Sequence, residues 1–299
     1  MLSPELAQHE ILSRFQWRQV READDFIWDA LGGRTRTLFN AGLGWSAGDA
    51  VKSGLFGPVI HEEIFEWIDL LQAVVLARNH FTFFELGCGY ARWLVFAALA
   101  LRQHNNLPAT WVGVEAEPSH YKWAKKHVRD NNVSDIRLYE AAVGAADGEA
   151  NFYTGSPEAW YGQMLAPDHL PQTTRKERFL RSIRRQPSKP LDTVSQVRMV
   201  GLNNLIEEHE RIDLIDCDVQ GAELQTFSAC TAALNAKVCR VHIATHSPEI
   251  EEGLRRLFSE LNWHKLNDYG CGRVNETPFG KITFVDGVQT WLNPRLADR

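Results

Sequence analysis

The residues best placed to do chemistry are two aspartates and a histidine at the ends of apolar runs. Asp216 and Asp218 close the segment Ile212 to Asp218, and His246 follows the apolar run Val238 to Ala244. Residues two apart on a strand share a face, so this spacing predicts both carboxylates on one side of a sheet edge, with His246 beside them. Two chemistries suit such a group. Asp218 and His246 could orient and deprotonate a bound hydroxyl, with Asp216 tuning them. Alternatively, Asp216, Asp218 and His246 could form a partial shell for Mg²⁺, which keeps most of its waters and needs few protein ligands. A plainer role for Asp218 is to cap a helix starting near Gly221. His242, inside its run, reads as a packed, hydrogen-bonded core histidine.

A second constellation lies upstream. The apolar run Phe81 to Leu86 enters Glu85-Leu86-Gly87-Cys88-Gly89-Tyr90 and is followed by a helical pattern from Trp93 to Arg102. Strand, glycine loop and helix make a nucleotide-binding geometry, because glycine lets the backbone approach the ligand and the helix start offers free N–H groups. A dinucleotide fingerprint needs a third small residue, and Arg92 stands there, which disfavours NAD or FAD. Glu85 beside the loop suits a cationic cofactor better than a pyrophosphate. The next strand, Thr110 to Val114, ends at Glu115 and Ala116, an acid positioned for ribose hydroxyls; the alternative is a solvated helix-capping glutamate. Glu140, Ala141 and Ala142 close the third strand, where an adenine would lie.

These residues need a scaffold, and the hydropathy pattern supplies one. After a predicted helix over His61 to Ala77, strands and helices alternate. Strands fall at Ile136 to Ala142, Ile212 to Cys217 and Val238 to Ala244, and helices at Ser119 to Asn131, Leu202 to Glu210, Glu223 to Leu234 and Pro248 to Leu261. Short strands without polar alternation indicate a parallel sheet covered on both faces, an α/β fold. The end differs: Gly280 to Val285, Asp286-Gly287 and Val288 to Leu292 predict a β-hairpin. Residues 1–31 read as a helical lead-in, and Thr35 to Pro58, with five glycines, as a loop. The expected division is a lead-in over 1–60 and a catalytic domain over 61–299. An insertion at about 153–201 would act as a substrate lid. Its stretch Arg175 to Lys189 carries seven basic residues against one acid. That is either a solvated helix face or a grip on a phosphorylated or acidic acceptor.

Composition narrows the class. The chain has 299 residues, 44% of them apolar, and a formal net charge of -6. An acidic balance argues against a nucleic-acid binder. Five cysteines without a CxxC pair suggest reduced thiols in a cytoplasmic protein. Apolar runs such as Leu70 to Ala77 fall short of the ~20 residues that span a bilayer, and no secretory signal opens the chain. A homo-oligomer is compatible with all of this.

Four segments in order, FELGCGYARW (84–93), VGVEAEP (112–118), NNVSDIRLYEAAVGAADGEANFY (131–153) and LNNLIEEHERIDLIDCDVQGAELQTFSAC (202–230), resemble the FkbM-type methyltransferases. The resemblance covers roughly residues 60–292, and IDLIDCDVQGAE is its most specific part. It implies a Rossmann-like class I sheet of seven strands, mostly parallel with the last antiparallel, flanked by helices. It also implies S-adenosylmethionine as cofactor and methylation of a hydroxyl on a saccharide, glycosylated metabolite or related small molecule. The sequence departs from the family pattern at four places: Asp216 replaces a lysine, Gln220 a glutamate and Asn203 an aspartate, while Ala244 stands where a glutamate is usual. Those departures leave room for a non-catalytic, cofactor-binding partner subunit. The enzymatic rival is a dinucleotide-dependent oxidoreductase.

Overall fold

The computed structural model describes residues 2–40, 46–154 and 193–296. Its centre is a seven-stranded sheet built from β4 (Phe81–Leu86), β5 (Ala109–Glu115), β6 (Ile136–Glu140), β10 (Leu214–Cys217), β11 (Arg240–Thr245), β12 (His264–Tyr269) and β15 (Gly287–Leu292). The order is β12-β15-β11-β10-β4-β5-β6. The pairs β4–β5, β5–β6, β4–β10 and β10–β11 are parallel, and β15 runs antiparallel to both its neighbours. This is the α/β class I arrangement expected from the sequence.

The unbroken apolar strands follow from the two faces they serve. Phe83 and Leu214 enter one core with the helices Ile64–Leu76 and Arg92–His104, while Phe84 and Ile215 enter the other with Phe227, Leu254 and Phe258. All six residues of β4 are buried, so both faces of the strand are covered, and its Thr82 N–H and Glu85 carboxylate are hydrogen-bonded within the protein. The chain leaves β4 for β5 on one side, and β10 later joins β4 on the other. A crevice therefore opens at the carboxyl ends of β4 and β10, the switch point where α/β sheets bind ligands.

Four expectations are corrected. The lead-in is helical only at Pro4–Ala7 and Leu12–Arg14; it then forms a three-stranded sheet of β1 (Arg21–Ala23), β2 (Phe26–Trp28) and β3 (Arg34–Arg36). Positive φ at Asp24 and Asp25 makes the turn between β1 and β2 without a glycine to announce it. The stretch read as a loop contains the helix Ala47–Ser53, which a Ser46–Asp49 capping box starts and Gly54 ends with φ +78°. The expected helix from Glu223 to Leu234 is two, Glu223–Ser228 and Thr231–Lys237.

The fourth correction is the C-terminal hairpin, which does not form. β14 (Gly280–Phe284) pairs with β13 (Arg273–Thr277), whereas β15 pairs with β11 and β12, so Asp286-Gly287 joins two sheets. A Cβ at Gly287 would collide with Thr245 and Glu251, which ties this junction against the end of β11.

The remaining strands, β7 (Ala142–Gly144), β8 (Gly148–Thr154) and β9 (Thr193–Gly201), make a small sheet in the order β7-β9-β8. The last residues of β8 and the whole of β9 fall within the expected insertion at about 153–201, and its remainder, with the basic stretch 175–189, lies outside the described residues. No helix among the described residues is long and apolar enough to cross a membrane.

The N-terminal sheet is fastened to the helix Pro118–Asp130 by Arg36 on Asp130 and by Thr35 on His127 Nε2 at 3.0 Å. Between β2 and β3, Asp29 is buried and accepts from the Leu31 and Gly33 N–H groups, and its Oδ2 has no partner. Burial pushes its carboxyl up to about 6 in spite of those bonds. The folded pKa lies above the unfolded one, so this site favours folding fully only below about pH 4, and the contribution is lost as pH rises through about 6. Ionisation there costs on the order of 2–3 kcal/mol at pH 8. Asp29→Asn keeps the Oδ1 acceptor without the charge. Its melting temperature relative to the parent should move upward by several degrees between pH 5 and pH 8; a pH-independent difference would refute this assignment.

Candidate active site

A cavity of about 740 Å³ occupies the crevice at the carboxyl ends of β4, β5, β10 and β11. Its floor depends on Gly87. This residue has φ +79°, and a Cβ there would overlap the carbonyl oxygen of Asp218. Asp218 N–H donates to the Leu86 carbonyl at 2.9 Å, locking the two strand ends side by side. Glycine thus supplies both the left-handed backbone and the close approach.

On one side of this junction lies a compartment bounded by the glycine loop and Glu115. Gly89 N–H donates to Glu115 Oε2 at 2.7 Å and Glu117 N–H to Oε1 at 2.7 Å, so Glu115 fixes the loop while facing the cavity. Burial pushes its carboxyl up to about 7 against those backbone donors. Glu115 is not the solvated cap considered from sequence: Glu117 caps the next helix, accepting from His120 N–H. Ala116, Ala142 and Phe152 form an adjoining apolar patch, and Ala141 also lines the wall. Glu140 is exposed and lies outside the lining, because it ends β6 pointing away from the cavity that Ala141 faces. Cys88 and Tyr90 line the cavity as well; burial raises the Cys88 thiol well above its ordinary range, so it is an inert core group.

Glu85 lines the cavity and accepts from Trp93 N–H at 3.3 Å and Leu94 N–H at 2.8 Å. The start of the helix Arg92–His104 is therefore served by the protein's own carboxylate. Arg92 begins that helix and pairs with Glu63 at 2.8 Å. Glu66, on the helix Ile64–Leu76, meets Asp216. Burial pushes both up, Asp216 to about 6 and Glu66 well above its usual range; the Asp216 charge raises Glu66 further and the Glu66 hydrogen bond lowers Asp216, so the shared proton sits on Glu66. Neither Glu63 nor Glu66 carried a motif in the sequence. Their signal was only acids in the first turn of a helix, which the helix dipole already explains.

On the other side, Asp218 opens into the cavity with 48% of its side chain accessible. The predicted trio divides here. β10 ends at Cys217, so strand alternation does not extend to Asp218: Asp216 faces Glu66, while Asp218 turns to His246, whose Nε2 is 3.3 Å away. His246 does not itself line the cavity. Its Nδ1 bonds Glu223 Oε1 at 2.8 Å, and Nε2 also lies 3.7 Å from Asp286. Burial alone would lower the His246 pKa, but the Asp218 and Glu223 carboxylates outweigh it and hold it at about 10. These carboxylates favour the imidazolium form of His246, and the Asp218–His246 pairing expected from sequence is present. Gln220, at φ +51°, donates to Asp218 at 2.8 Å. The helix after Gly221 has no side-chain cap, so Asp218 is not serving one. His242 is buried and bonded to Asp69 at 2.8 Å, as expected of a core histidine, yet it also borders the cavity.

Comparisons with known proteins agree with this geometry. The methyltransferase FkbM domain model matches residues 80–269, which spans the glycine loop, Glu115, Asp218 and His246. The chain belongs to the FkbM methyltransferase family. A provisionally named methyltransferase of Jannaschia sp. (strain CCS1) is 26% identical over 241 residues, 79% of this chain and 81% of that one. Among solved structures, the FkbM methyltransferase of Methylobacillus flagellatus KT aligns at TM-score 0.44 and 10% identity, covering 81% of this chain and 58% of that chain. The Geobacter metallireducens GS-15 precorrin-6y C5,15-methyltransferase aligns at TM-score 0.39 and 8% identity, over 78% and 89%.

Because the two halves of the cavity meet at Gly87, Gly87→Ala should be among the most damaging small substitutions in this methyltransferase. A loss of about 3 kcal/mol or more is expected, or roughly 6–10 °C in melting midpoint. A midpoint within a degree of the parent would show that the junction is looser than described.

Proposed function

We propose that the chain transfers a methyl group from S-adenosylmethionine to a hydroxyl of a neutral, polyhydroxylated acceptor, a saccharide or glycosylated metabolite. The observation that carries this reading is the placement of Asp218: it is half-exposed in the same cavity as the glycine loop and Glu115, across the Gly87 junction from them.

The cofactor half supports S-adenosylmethionine over a dinucleotide. The helix start that would hold a pyrophosphate is filled by Glu85, and Glu66 and Asp216 add negative charge beside it. Those carboxylates suit the ammonium and sulfonium of S-adenosylmethionine. Glu115 would accept from the ribose hydroxyls, with Gly87, Cys88, Gly89 and Tyr90 along the backbone of the loop. The Ala116, Ala141, Ala142 and Phe152 wall would take the adenine.

The acceptor half is lined by Glu62, Asp218 and Asp286, which accept hydrogen bonds from hydroxyls and repel phosphate. A neutral polyol therefore fits better than an acidic or phosphorylated acceptor. Collinear alignment of hydroxyl, methyl and sulfur would supply most of the rate advantage. Asp218 would take the hydroxyl proton, and the His246 imidazolium, held by Glu223, would keep Asp218 in place.

Asp218→Asn should lower turnover on hydroxylated acceptors by about 10²–10⁴-fold. Its calorimetric affinity for S-adenosylhomocysteine should stay within about threefold of the parent, since a factor of that size is under 1 kcal/mol. Full turnover in the variant would remove Asp218 from the acceptor side.

A further inference from the structure

The cluster around His246 has more negative charge than its own protein partners balance. Asp218, Glu223 and Asp286 converge on this one imidazole, and no Lys or Arg among the described residues pairs with any of the three. Glu223 is fully buried, and its Oε2 has no hydrogen-bond partner. Glu223 alone of the three is buried, and a single imidazole serves all three carboxylates, so the cluster has room for a further positive charge.

The geometry points to a divalent transition-metal ion held by His246 Nε2, Asp218 and Asp286 at the rim of the cavity. Nε2 is buried, lacks an aligned hydrogen bond, and lies between two carboxylate oxygens at 3.3 Å and 3.7 Å. Ligand atoms about 2.0–2.2 Å from a common ion sit roughly 3 Å apart, so both carboxylates must swing inward for the three atoms to form a coordination shell. Glu223 completes the pattern. It accepts from Nδ1 at 2.8 Å and so orients the ring, as a carboxylate does behind a metal-bound histidine. Gly221 N–H, donating to the same Glu223 oxygen at 2.9 Å, fixes that carboxylate in turn.

Asp218, Glu223 and His246 can bring ligand atoms within 4.8 Å of one another. The bond from Nδ1 to Glu223 sorts their roles and leaves Nε2 for the ion; Asp286 Oδ1, 3.7 Å from Nε2, becomes the third ligand once its carboxylate swings toward Asp218. Asp216 is excluded from the shell because it is engaged with Glu66. One imidazole with two carboxylates suits Mn²⁺ or Zn²⁺ better than an all-oxygen Mg²⁺ site. Binding exchanges the Nε2 proton for the ion, and the cavity side of the shell stays open for water or an acceptor hydroxyl. This inference rests on the acceptor reading of Asp218 for its role in transfer, but the binding itself does not.

The test is Mn²⁺ titration of the chelator-stripped full chain, following free ion by electron paramagnetic resonance. The parent should bind one ion per chain saturably. Asp218→Asn and Asp286→Asn should each weaken binding by at least about tenfold, and Glu276→Gln, on β13, should leave it unchanged. Melting curves accompany each titration, and Asp286→Asn, at the partly exposed rim, is the variant least able to disturb folding. Absence of saturable binding by folded parent protein, or binding indifferent to both aspartate variants, would overturn the site. Turnover that survives exhaustive chelation would remove the ion from the reaction and leave the methyltransferase reading standing. Loss of S-adenosylhomocysteine binding with intact Mn²⁺ binding would do the reverse.

Discussion

The close approach of Gly87 to the carbonyl of Asp218 is the constraint on which the rest of the site depends. It welds the end of β4, which carries the glycine loop, to the end of β10, which carries Asp218. Without it, the cavity would be two clefts on neighbouring strands. The sheet topology makes the meeting possible, since the chain departs in opposite directions from β4 and β10. Glycine at position 87 makes it close enough for one small molecule to bridge.

Around that junction the protein concentrates carboxylates and neutralises each by a different device. Glu85 is held by helix-start N–H groups, Glu63 by Arg92, Glu66 and Asp216 by a shared proton, and Asp69 by Arg240 and His242. Asp218, Glu223 and Asp286 share a single imidazolium. A site so charged selects against anions and favours ligands that bring hydroxyl donors or positive charge. The helix Ile64–Leu76 is central to this arrangement. Its first turn supplies Glu66, and Asp69, one turn further on, anchors β11 through Arg240 and His242.

Much of this was legible in the residues. Unbroken apolar strands gave the parallel sheet because both faces are buried, and Glu85 through Tyr90 marked the cofactor loop because only glycines allow that turn. The pleat rule failed for Asp216 and Asp218 because it was carried one residue past the strand end at Cys217, where the backbone leaves the sheet. The hairpin expected around Asp286-Gly287 failed because turn chemistry is local, whereas pairing of β15 with β11 and β12 is decided by the whole sheet. Glu63, Glu66, Asp69 and Glu223 were unreadable as site residues. Each is an ordinary helix acid until tertiary packing sets a partner against it. The lead-in misled for a related reason, since its apolar residues are spaced irregularly enough to suit either helix or short strands.

The most direct test of the central claim is a structure of the chain with S-adenosylhomocysteine bound. The account predicts ribose hydroxyls within hydrogen-bond distance of Glu115, adenine against Ala116 and Phe152, and the sulfur facing Asp218 across Gly87. Ligand bound away from the β4–β10 junction, or a sulfur turned from Asp218, would contradict it.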